Sequence, residues 1–189
     1  MKYKFLEIGT SDFATLSHKY PQDDGICVEP VKSLLEAIPE NKKHIKVCAA
    51  IHDNDGTASF FKLKDEFLAD KEHRKYERGM SCLEGCDNEE KRITNSVRFN
   101  RFEKITVPTM SLRSLISRYD IESIEILKID TEGYDCYILQ QLIETPLRPL
   151  HIKFEYNHHS SEVVRETLYL LQEYTIDKQT NNDIYLRLK

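Results

Sequence analysis

The segment FLEIGTSDF, residues 5–13, begins with a short apolar strand, ends that strand at a glycine and continues into polar residues. Any of Thr10, Ser11 and Asp12 can cap a helix that extends from about residue 14 to residue 20. Strand, glycine turn and helix in this order are typical of the first unit of a parallel sheet with crossover helices.

The rest of the chain continues the alternation of strands and helices. Apolar spacing predicts strands at residues 26–28, 45–51, 57–63, 105–107, 124–129 and 152–155, and helices at 30–38, 111–119, 134–143 and 163–174. A turn at residues 181–183 joins two last strands, near Ile176 and at 184–186. We therefore predict an α/β fold with a mostly parallel central sheet, helices on both faces and a C-terminal antiparallel hairpin.

The length of 189 residues fits one domain spanning residues 1–189. Residues 65–104 interrupt the regular pattern, and ten of the fifteen residues from 64 to 78 are charged. A long connection of this kind is usually functional or disordered. Two interpretations remain open for it: a solvated insert, or a lid over an active site.

Composition excludes several classes of protein. The net charge of −5 disfavours nucleic acid as a partner, because nucleic-acid binders usually carry a basic excess. The longest apolar run, residues 47–51, is far shorter than the ~20 residues of a membrane-spanning helix. Five cysteines and no signal peptide indicate free thiols and a cytoplasmic location. Cys82 and Cys86 lack a second cysteine pair, which disfavours zinc.

Acidic residues follow most of the predicted parallel strands. They occur at Glu7, at Glu29, at Asp130 and Glu132, and at Glu155. An open parallel sheet binds its ligands beyond the carboxyl ends of its strands, and a buried carboxylate is costly to desolvate. The sequence therefore predicts a ligand site at this edge of the sheet.

The spacing between Gly9 and Glu29 is twenty residues, the distance at which an acid contacts ribose hydroxyls in dinucleotide-binding sheets. Pyrophosphate needs several glycines for close backbone approach, and here there is one. Asp12 would also repel phosphate. S-adenosylmethionine has an adenosine, no phosphate and a cationic sulfur, so it suits this loop better than a nicotinamide cofactor, which remains an alternative.

The segment ILKIDTEGYD, residues 126–135, resembles the signature of the FkbM family of methyltransferases. Four further segments resemble the family in the same order: residues 28–30, 49–57, 107–112 and 154–155. The resemblance implies a Rossmann-like class I methyltransferase that transfers a methyl group from S-adenosylmethionine to a hydroxyl of a sugar, a glycan, a polyketide or another small molecule. It also implies that the chain can be part of a longer protein, fused to or associated with other glycan-modifying domains.

Two departures from the family leave other functions open. Phe13 stands where the family usually has a second glycine, and the chain begins four residues before the first strand. A catalytically silent binding module with the same fold is therefore one alternative. An RNA methyltransferase is another, although the net charge disfavours it.

The site residues follow from the strand ends and from the matched segments. The predicted cofactor-binding residues are Glu7, Gly9, Thr10, Ser11, Asp12, Glu29, Pro30, Ala50 and Asp130. The candidates for catalysis, including the general base that a sugar hydroxyl requires, are Asp130, Glu132, Glu155 and His158. Ser81, in a segment that resembles a family serine, and His159 are the predicted substrate contacts. A Mg²⁺ ion held by Asp130, Glu132 and Glu155 is a second route to hydroxyl activation.

Overall fold

The computed structural model describes residues 1–68, 77–86 and 99–189. Its strands are β1 (Lys2–Ile8), β2 (Gly25–Val28), β3 (His44–Val47), β4 (Ala50–Ile51), β5 (Gly56–Leu63), β6 (Cys82–Leu83), β7 (Phe102–Met110), β8 (Ser123–Ile129), β9 (His151–Glu155), β10 (Tyr174–Gln179) and β11 (Asp183–Leu188). Its helices are α1 (Thr15–Lys19), α2 (Lys32–Ala37), α3 (Asp65–Leu68), α4 (Leu112–Arg118), α5 (Asp135–Ile143) and α6 (Ser161–Leu170). Short 3₁₀ turns lie at Glu77–Gly79 and Phe99–Arg101.

A seven-stranded sheet has the order β10-β11-β9-β8-β1-β2-β3. The five strands from β9 to β3 pair in parallel, with β1 at the centre between β8 and β2. The last two strands form an antiparallel hairpin that joins β9. The α/β class and the C-terminal hairpin predicted from the sequence are confirmed, and the sheet as a whole is mixed.

Apolar side chains cover both faces of this sheet because successive residues of a strand point to opposite sides. On one face, Leu6 and Ile8 of β1 belong to a cluster with Leu115 of α4 and Ile138 of α5. On the other face, Phe5 of β1 packs in a cluster with residues of the α1 and α2 regions, namely Ala14, Leu35 and Ile38. This packing fixes the strand ends at which the candidate site lies.

A second sheet, which the sequence analysis did not predict, has the order β4-β7-β5-β6. It is also mixed: β4 and β7 are parallel, whereas β5 is antiparallel to both β7 and β6. The predicted single strand at residues 45–51 is therefore wrong, because the chain leaves the first sheet after Val47 and enters the second at Ala50. Cys48 is exposed at this step between the sheets.

Two other predicted segments differ in the structure. The helix predicted at residues 163–174 ends at Leu170, and Tyr174 begins β10, where its ring is buried. The charged segment 65–104 contributes α3, β6 and the start of β7. Residues 69–76 and 87–98 of this segment lie outside the described residues. The prediction of a lid or a solvated insert for these two stretches therefore also lies outside the described residues.

The five cysteines all lie within the described residues and none is part of a disulfide, in agreement with the prediction; Cys48 is exposed and the other four are buried. Within residues 1–68, 77–86 and 99–189, every helix is too short or too polar to cross a membrane.

Candidate functional site

A cavity lies at the carboxyl ends of β1, β2 and β8, the place where parallel sheets bind ligands. Its volume is about 170 Å³, below the ~300–1,000 Å³ that is usual for small-molecule sites. Many of the predicted site residues line it: Gly9, Ser11, Glu29, Pro30, Ala50, Ser81, Asp130 and Glu132. The second sheet forms part of the wall, through Ala50 of β4, Phe60 of β5 and Leu83 of β6.

Gly9 stands where the ends of β1 and β8 lie side by side. Its φ is +76°, and a Cβ atom there would lie 1.9 Å from the carbonyl oxygen of Asp130. Only glycine fits this position, because any side chain would overlap the neighbouring backbone. Gly9, a predicted cofactor-binding residue, lines the cavity, but the close approach that requires a glycine is that of the chain to itself.

The loop after Gly9 is held by two buried carboxylates. Glu7 accepts hydrogen bonds from the backbone N–H groups of Thr15 (3.0 Å) and Leu16 (2.9 Å). The predicted side-chain cap of α1 by Thr10, Ser11 or Asp12 is wrong: Ala14 is the N-cap and has no capping side chain, so Glu7 takes that role from the neighbouring strand.

Glu29 follows β2, lines the cavity and is almost completely buried. Its Oε2 atom accepts from the N–H of Ser11 (2.8 Å), and its Oε1 atom accepts from the N–H of Val31 (2.9 Å). Burial raises the pKa of Glu29 to about 7, although the two N–H groups oppose the shift. Glu29 therefore joins the loop after β1 to the start of α2 and still presents its carboxyl group to the cavity.

Lys128 is a residue of the cavity wall that the sequence analysis did not assign. It is buried on β8, and its Nζ atom lies 2.9 Å from Glu7 Oε1 and 3.4 Å from Asp130 Oδ2. Burial by itself lowers the pKa of Lys128, but Asp130 and Glu7 outweigh this effect and raise it. The sequence spacing could have indicated this pair, because Lys128 lies two residues before Asp130 and side chains two residues apart along a strand point to the same side.

Asp130 directly follows β8 and lines the cavity with about a third of its side chain exposed. Burial raises the pKa of Asp130, and the ammonium group of Lys128 opposes the shift. Asp130 therefore pairs with one cation on the sheet side and faces the cavity on the other.

Glu132, Glu155 and His158 form one cluster behind the cavity wall. His158 Nε2 lies 3.2 Å from Glu132 Oε2 and 3.3 Å from Glu155 Oε2. Of the three, Glu132 lines the cavity. Desolvation raises the pKa of Glu132 to about 7, and the hydrogen bond with His158 opposes this shift.

Asp135 fixes the loop between β8 and α5. It is completely buried and accepts from the N–H and the hydroxyl of Thr131, at 3.1 Å and 2.6 Å, and from the N–H of Glu155 at 3.0 Å. Desolvation raises the pKa of Asp135 to about 7. Asp135 thus ties the end of β9 to the loop that carries Asp130 and Glu132.

Tyr134 is a second residue of the cavity wall that the sequence analysis left unassigned. Its hydroxyl donates to Asp53 Oδ1 at 2.9 Å, and its ring stacks on His52 with centroids 5.4 Å apart. Burial and Asp53 raise the pKa of Tyr134. An aromatic wall of this kind is suited to a flat ligand group.

Several predicted site residues lie outside this cavity lining: Glu7, Thr10, Asp12, Glu155, His158 and His159. Thr10 is buried in the loop after β1, and its hydroxyl donates to the carbonyl of Ser11. His159 Nε2 accepts from the N–H of Cys136 at 3.3 Å, at the start of α5. The structure thus places the predicted residues in two groups: those that line the cavity, and those outside its lining, among which Glu7 and His159 accept hydrogen bonds from backbone N–H groups.

Together these groups form an acidic cavity with one lysine in its wall. Glu29, Asp130 and Glu132 can bind a cation or accept hydrogen bonds from hydroxyl groups, and two of them have a pKa near 7. Carboxyl groups with pKa values near neutrality are suited to move a proton at physiological pH.

The comparisons with known proteins give one match. The family model described as Methyltransferase FkbM domain matches residues 5–177, which is most of the chain. No curated protein and no solved structure matches the chain. The matched range contains the whole cavity lining, from Ile8 to Tyr134, and the cluster at Glu155 and His158. The chain therefore belongs to the FkbM family of methyltransferases.

Proposed function

We propose that this methyltransferase transfers the methyl group of S-adenosylmethionine to a hydroxyl group of a sugar or glycan. The observation that carries the proposal is the acidic cavity at the carboxyl ends of three neighbouring parallel strands. The seven-stranded sheet is then the Rossmann-like core of a class I methyltransferase, with helices on both faces.

The lining of the cavity fits the chemistry of this cofactor. Bound S-adenosylmethionine supplies an electrophilic methyl group on a positively charged sulfur. Glu29 lies where the ribose hydroxyls of such a ligand would meet the end of β2; a carboxylate has about four lone-pair sites, and the N–H groups of Ser11 and Val31 use two. Asp130 offers a negative charge for the sulfonium, and Tyr134 an aromatic wall. Because the cavity is small, we expect its walls to separate when the ligand enters.

The acceptor hydroxyl is a weak nucleophile and needs a base within hydrogen-bond distance. Asp130 and Glu132 line the same cavity, and their raised pKa values suit proton acceptance near neutral pH. Ser81, on the wall formed by residues 79–83, is the proposed acceptor contact. Methyl transfer is an in-line displacement, so the positions of donor and acceptor in the cavity supply much of the rate.

Calorimetric titration of the chain with S-adenosylmethionine tests cofactor binding, and radiolabel transfer to a panel of sugars and polyketide alcohols tests the reaction. We expect saturable one-to-one binding and transfer to a sugar hydroxyl. Asp130→Asn should lower turnover by about 10²–10⁴-fold, whereas Asp23→Asn, an exposed aspartate before β2, should leave it unchanged. Absence of binding heat, or a turnover of Asp130→Asn equal to wild type, would contradict the proposal.

One observation favours a second candidate, a catalytically silent binding module. The ring of Phe13 lines the cavity at the position where the family usually has glycine. If the ring blocks the cofactor, Phe13→Gly should bind S-adenosylmethionine while the wild type does not. Equal binding by both proteins would exclude the silent module.

A further inference from the structure

We infer that Glu132, Glu155 and His158 form a binding site for one divalent transition-metal ion, of the type of Mn²⁺ or Zn²⁺, beside the cavity. The binding site is argued from its own geometry. Its role rests on the proposed function, because the ion would activate the acceptor hydroxyl for methyl transfer.

The ligand atoms are already spaced as metal ligands. The distances of 3.2 Å and 3.3 Å from His158 Nε2 to the two carboxylate oxygens are close to the distances between neighbouring ligand atoms around a metal ion. Ligands at ~2.0–2.2 Å from a tetrahedral ion lie roughly 3.3–3.6 Å from one another. One ligand atom from each of the three residues lies within 4.8 Å of the other two. Only small side-chain movements would admit an ion between them.

The buried oxygen of Glu155 supplies an independent observation. Among the described residues, Glu155 Oε2 has no hydrogen-bond partner and no contact with solvent, although His158 Nε2 is 3.3 Å away. A buried acceptor without a partner costs about 1–3 kcal/mol. An ion between the three side chains would satisfy this oxygen, whereas the histidine in its present geometry does not.

The ligand set indicates which ion binds. Mg²⁺ and Ca²⁺ prefer oxygen ligands alone, whereas an imidazole beside carboxylates suits transition metals such as Mn²⁺ and Zn²⁺. The sequence analysis placed Asp130 in a Mg²⁺ site, but in the structure Asp130 faces Lys128, at 3.4 Å, and the third ligand is His158. We therefore assign the site to a different ion and a different set of residues.

Three protein ligands leave coordination positions open, as in catalytic metal sites. Because Glu132 lines the cavity, the open side of the ion would be reached by an acceptor hydroxyl. A bound ion would lower the pKa of that hydroxyl. The proton of the acceptor hydroxyl would pass to the carboxylate of Asp130. The hydroxyl oxygen would then form a bond to the methyl carbon, and the carbon–sulfur bond would break with its electron pair going to sulfur.

Titration of the chelator-treated, purified chain with Mn²⁺ tests the site, with the electron paramagnetic resonance signal of free Mn²⁺ as the readout. We expect one Mn²⁺ per chain, displaced by Zn²⁺ and not by Ca²⁺. Glu155→Gln and His158→Gln should each weaken binding at least ten-fold. The matched control is His151→Gln, an exposed histidine on β9, which should bind as the wild type does. Circular dichroism establishes that each variant is folded.

Absence of saturable Mn²⁺ and Zn²⁺ binding by the wild type would overturn the inference. So would wild-type affinity in the folded Glu155→Gln and His158→Gln variants. Calorimetry with S-adenosylmethionine separates this failure from that of the proposed function. Cofactor binding without metal binding refutes the metal site alone, and metal binding without cofactor binding refutes the proposed function and leaves the metal site intact.

Discussion

The loop after β1, residues 9–14, and the loop after β8, residues 130–134, lie side by side at the same edge of the sheet but use their acidic neighbours differently. Around the first loop, Glu7 and Glu29 accept backbone N–H groups and hold the chain in place. In the second loop, Asp130 and Glu132 face the cavity, while the buried Asp135 holds the backbone.

This difference shows that an acid at a strand end does not by itself identify a catalytic group. The acids of the first loop have a structural role in addition to any contact with a ligand, since their loss leaves N–H groups unpaired. Around the second loop, Asp135 accepts the backbone N–H groups, so Asp130 and Glu132 do not hold the loop in this way. Stability should therefore depend on the first group, and chemistry on the second.

Glu7→Gln is expected to cause the largest loss in the free energy of unfolding. Removing one partner of a buried ion pair costs ~3–5 kcal/mol, and here Lys128 and the first turn of α1 lose the same carboxylate. Asp130→Asn should change the free energy of unfolding by less than about 1 kcal/mol, because its side chain is partly exposed. Urea denaturation measures the free energy of unfolding of both variants. An equal loss in Glu7→Gln and Asp130→Asn would contradict the different roles of the two loops.

Gly9→Ala tests the contact between the two loops. The new Cβ atom would overlap the carbonyl of Asp130, so we expect a loss of about 2–4 kcal/mol in the free energy of unfolding. Gly85→Ala is the control, since φ there is also positive, at +91°, with nothing within 4 Å of the added atom. The same loss in both variants would attribute the effect to φ alone.

The pH dependence of stability reports on Glu29. Its pKa is about 7 in the folded chain and near 4.5 when unfolded, so the folded chain holds a proton that the unfolded chain has lost between these values. Its contribution to stability therefore falls as pH rises from about 4.5 to 7. Glu29→Gln should reduce that fall, by at most about 2 kcal/mol between pH 5 and 7.

Urea denaturation at pH 5, 6 and 7 measures this change. Glu36→Gln, an exposed glutamate on α2, should retain the wild-type slope. A wild-type slope in Glu29→Gln would remove the buried carboxyl group as its source. Asp135 and Glu132 carry the same sign of shift, so a part of the slope remains in every single variant.

Ser11→Gly gives the smallest expected effect, in the opposite direction. Ser11 has φ of 46°, in the left-handed region, and its hydroxyl is buried without a hydrogen-bond partner among the described residues. Left-handed backbone costs ~1–2 kcal/mol in a residue other than glycine, part of which the flexibility of glycine in the unfolded chain offsets. We expect a gain of up to about 1 kcal/mol in the free energy of unfolding, measured by thermal unfolding. A loss would contradict the presence of strain at Ser11.

The alternation of strands and helices and the acidic edge of the sheet could be predicted from the sequence because both depend on local patterns. Apolar runs and the helical spacing of apolar residues mark the strands and helices, and the carboxyl ends of parallel strands lie at the same edge of the sheet. The second sheet could not be predicted, since the apolar residues from Ile45 to Ile51 carry no local sign of the break after Val47.

The roles of the individual acids also depend on tertiary contacts. Glu7 lies two residues before Gly9 and Glu29 follows the second strand, both near the strand ends where ligand-binding acids occur, and only the structure shows from which N–H groups they accept hydrogen bonds. His158 follows the last parallel strand and reads as a loop residue. In the structure it is buried, and its Nε2 atom lies 3.3 Å from Glu155, three residues earlier, and 3.2 Å from Glu132, which comes from a segment distant in sequence.

A crystal structure of the chain with S-adenosylhomocysteine tests the central claim most directly. We expect the ligand in the cavity at the ends of β1, β2 and β8, with its ribose hydroxyls on Glu29 and its sulfur toward Asp130. A nucleoside bound elsewhere on the sheet, with Glu29 and Asp130 both out of contact with it, would contradict the account.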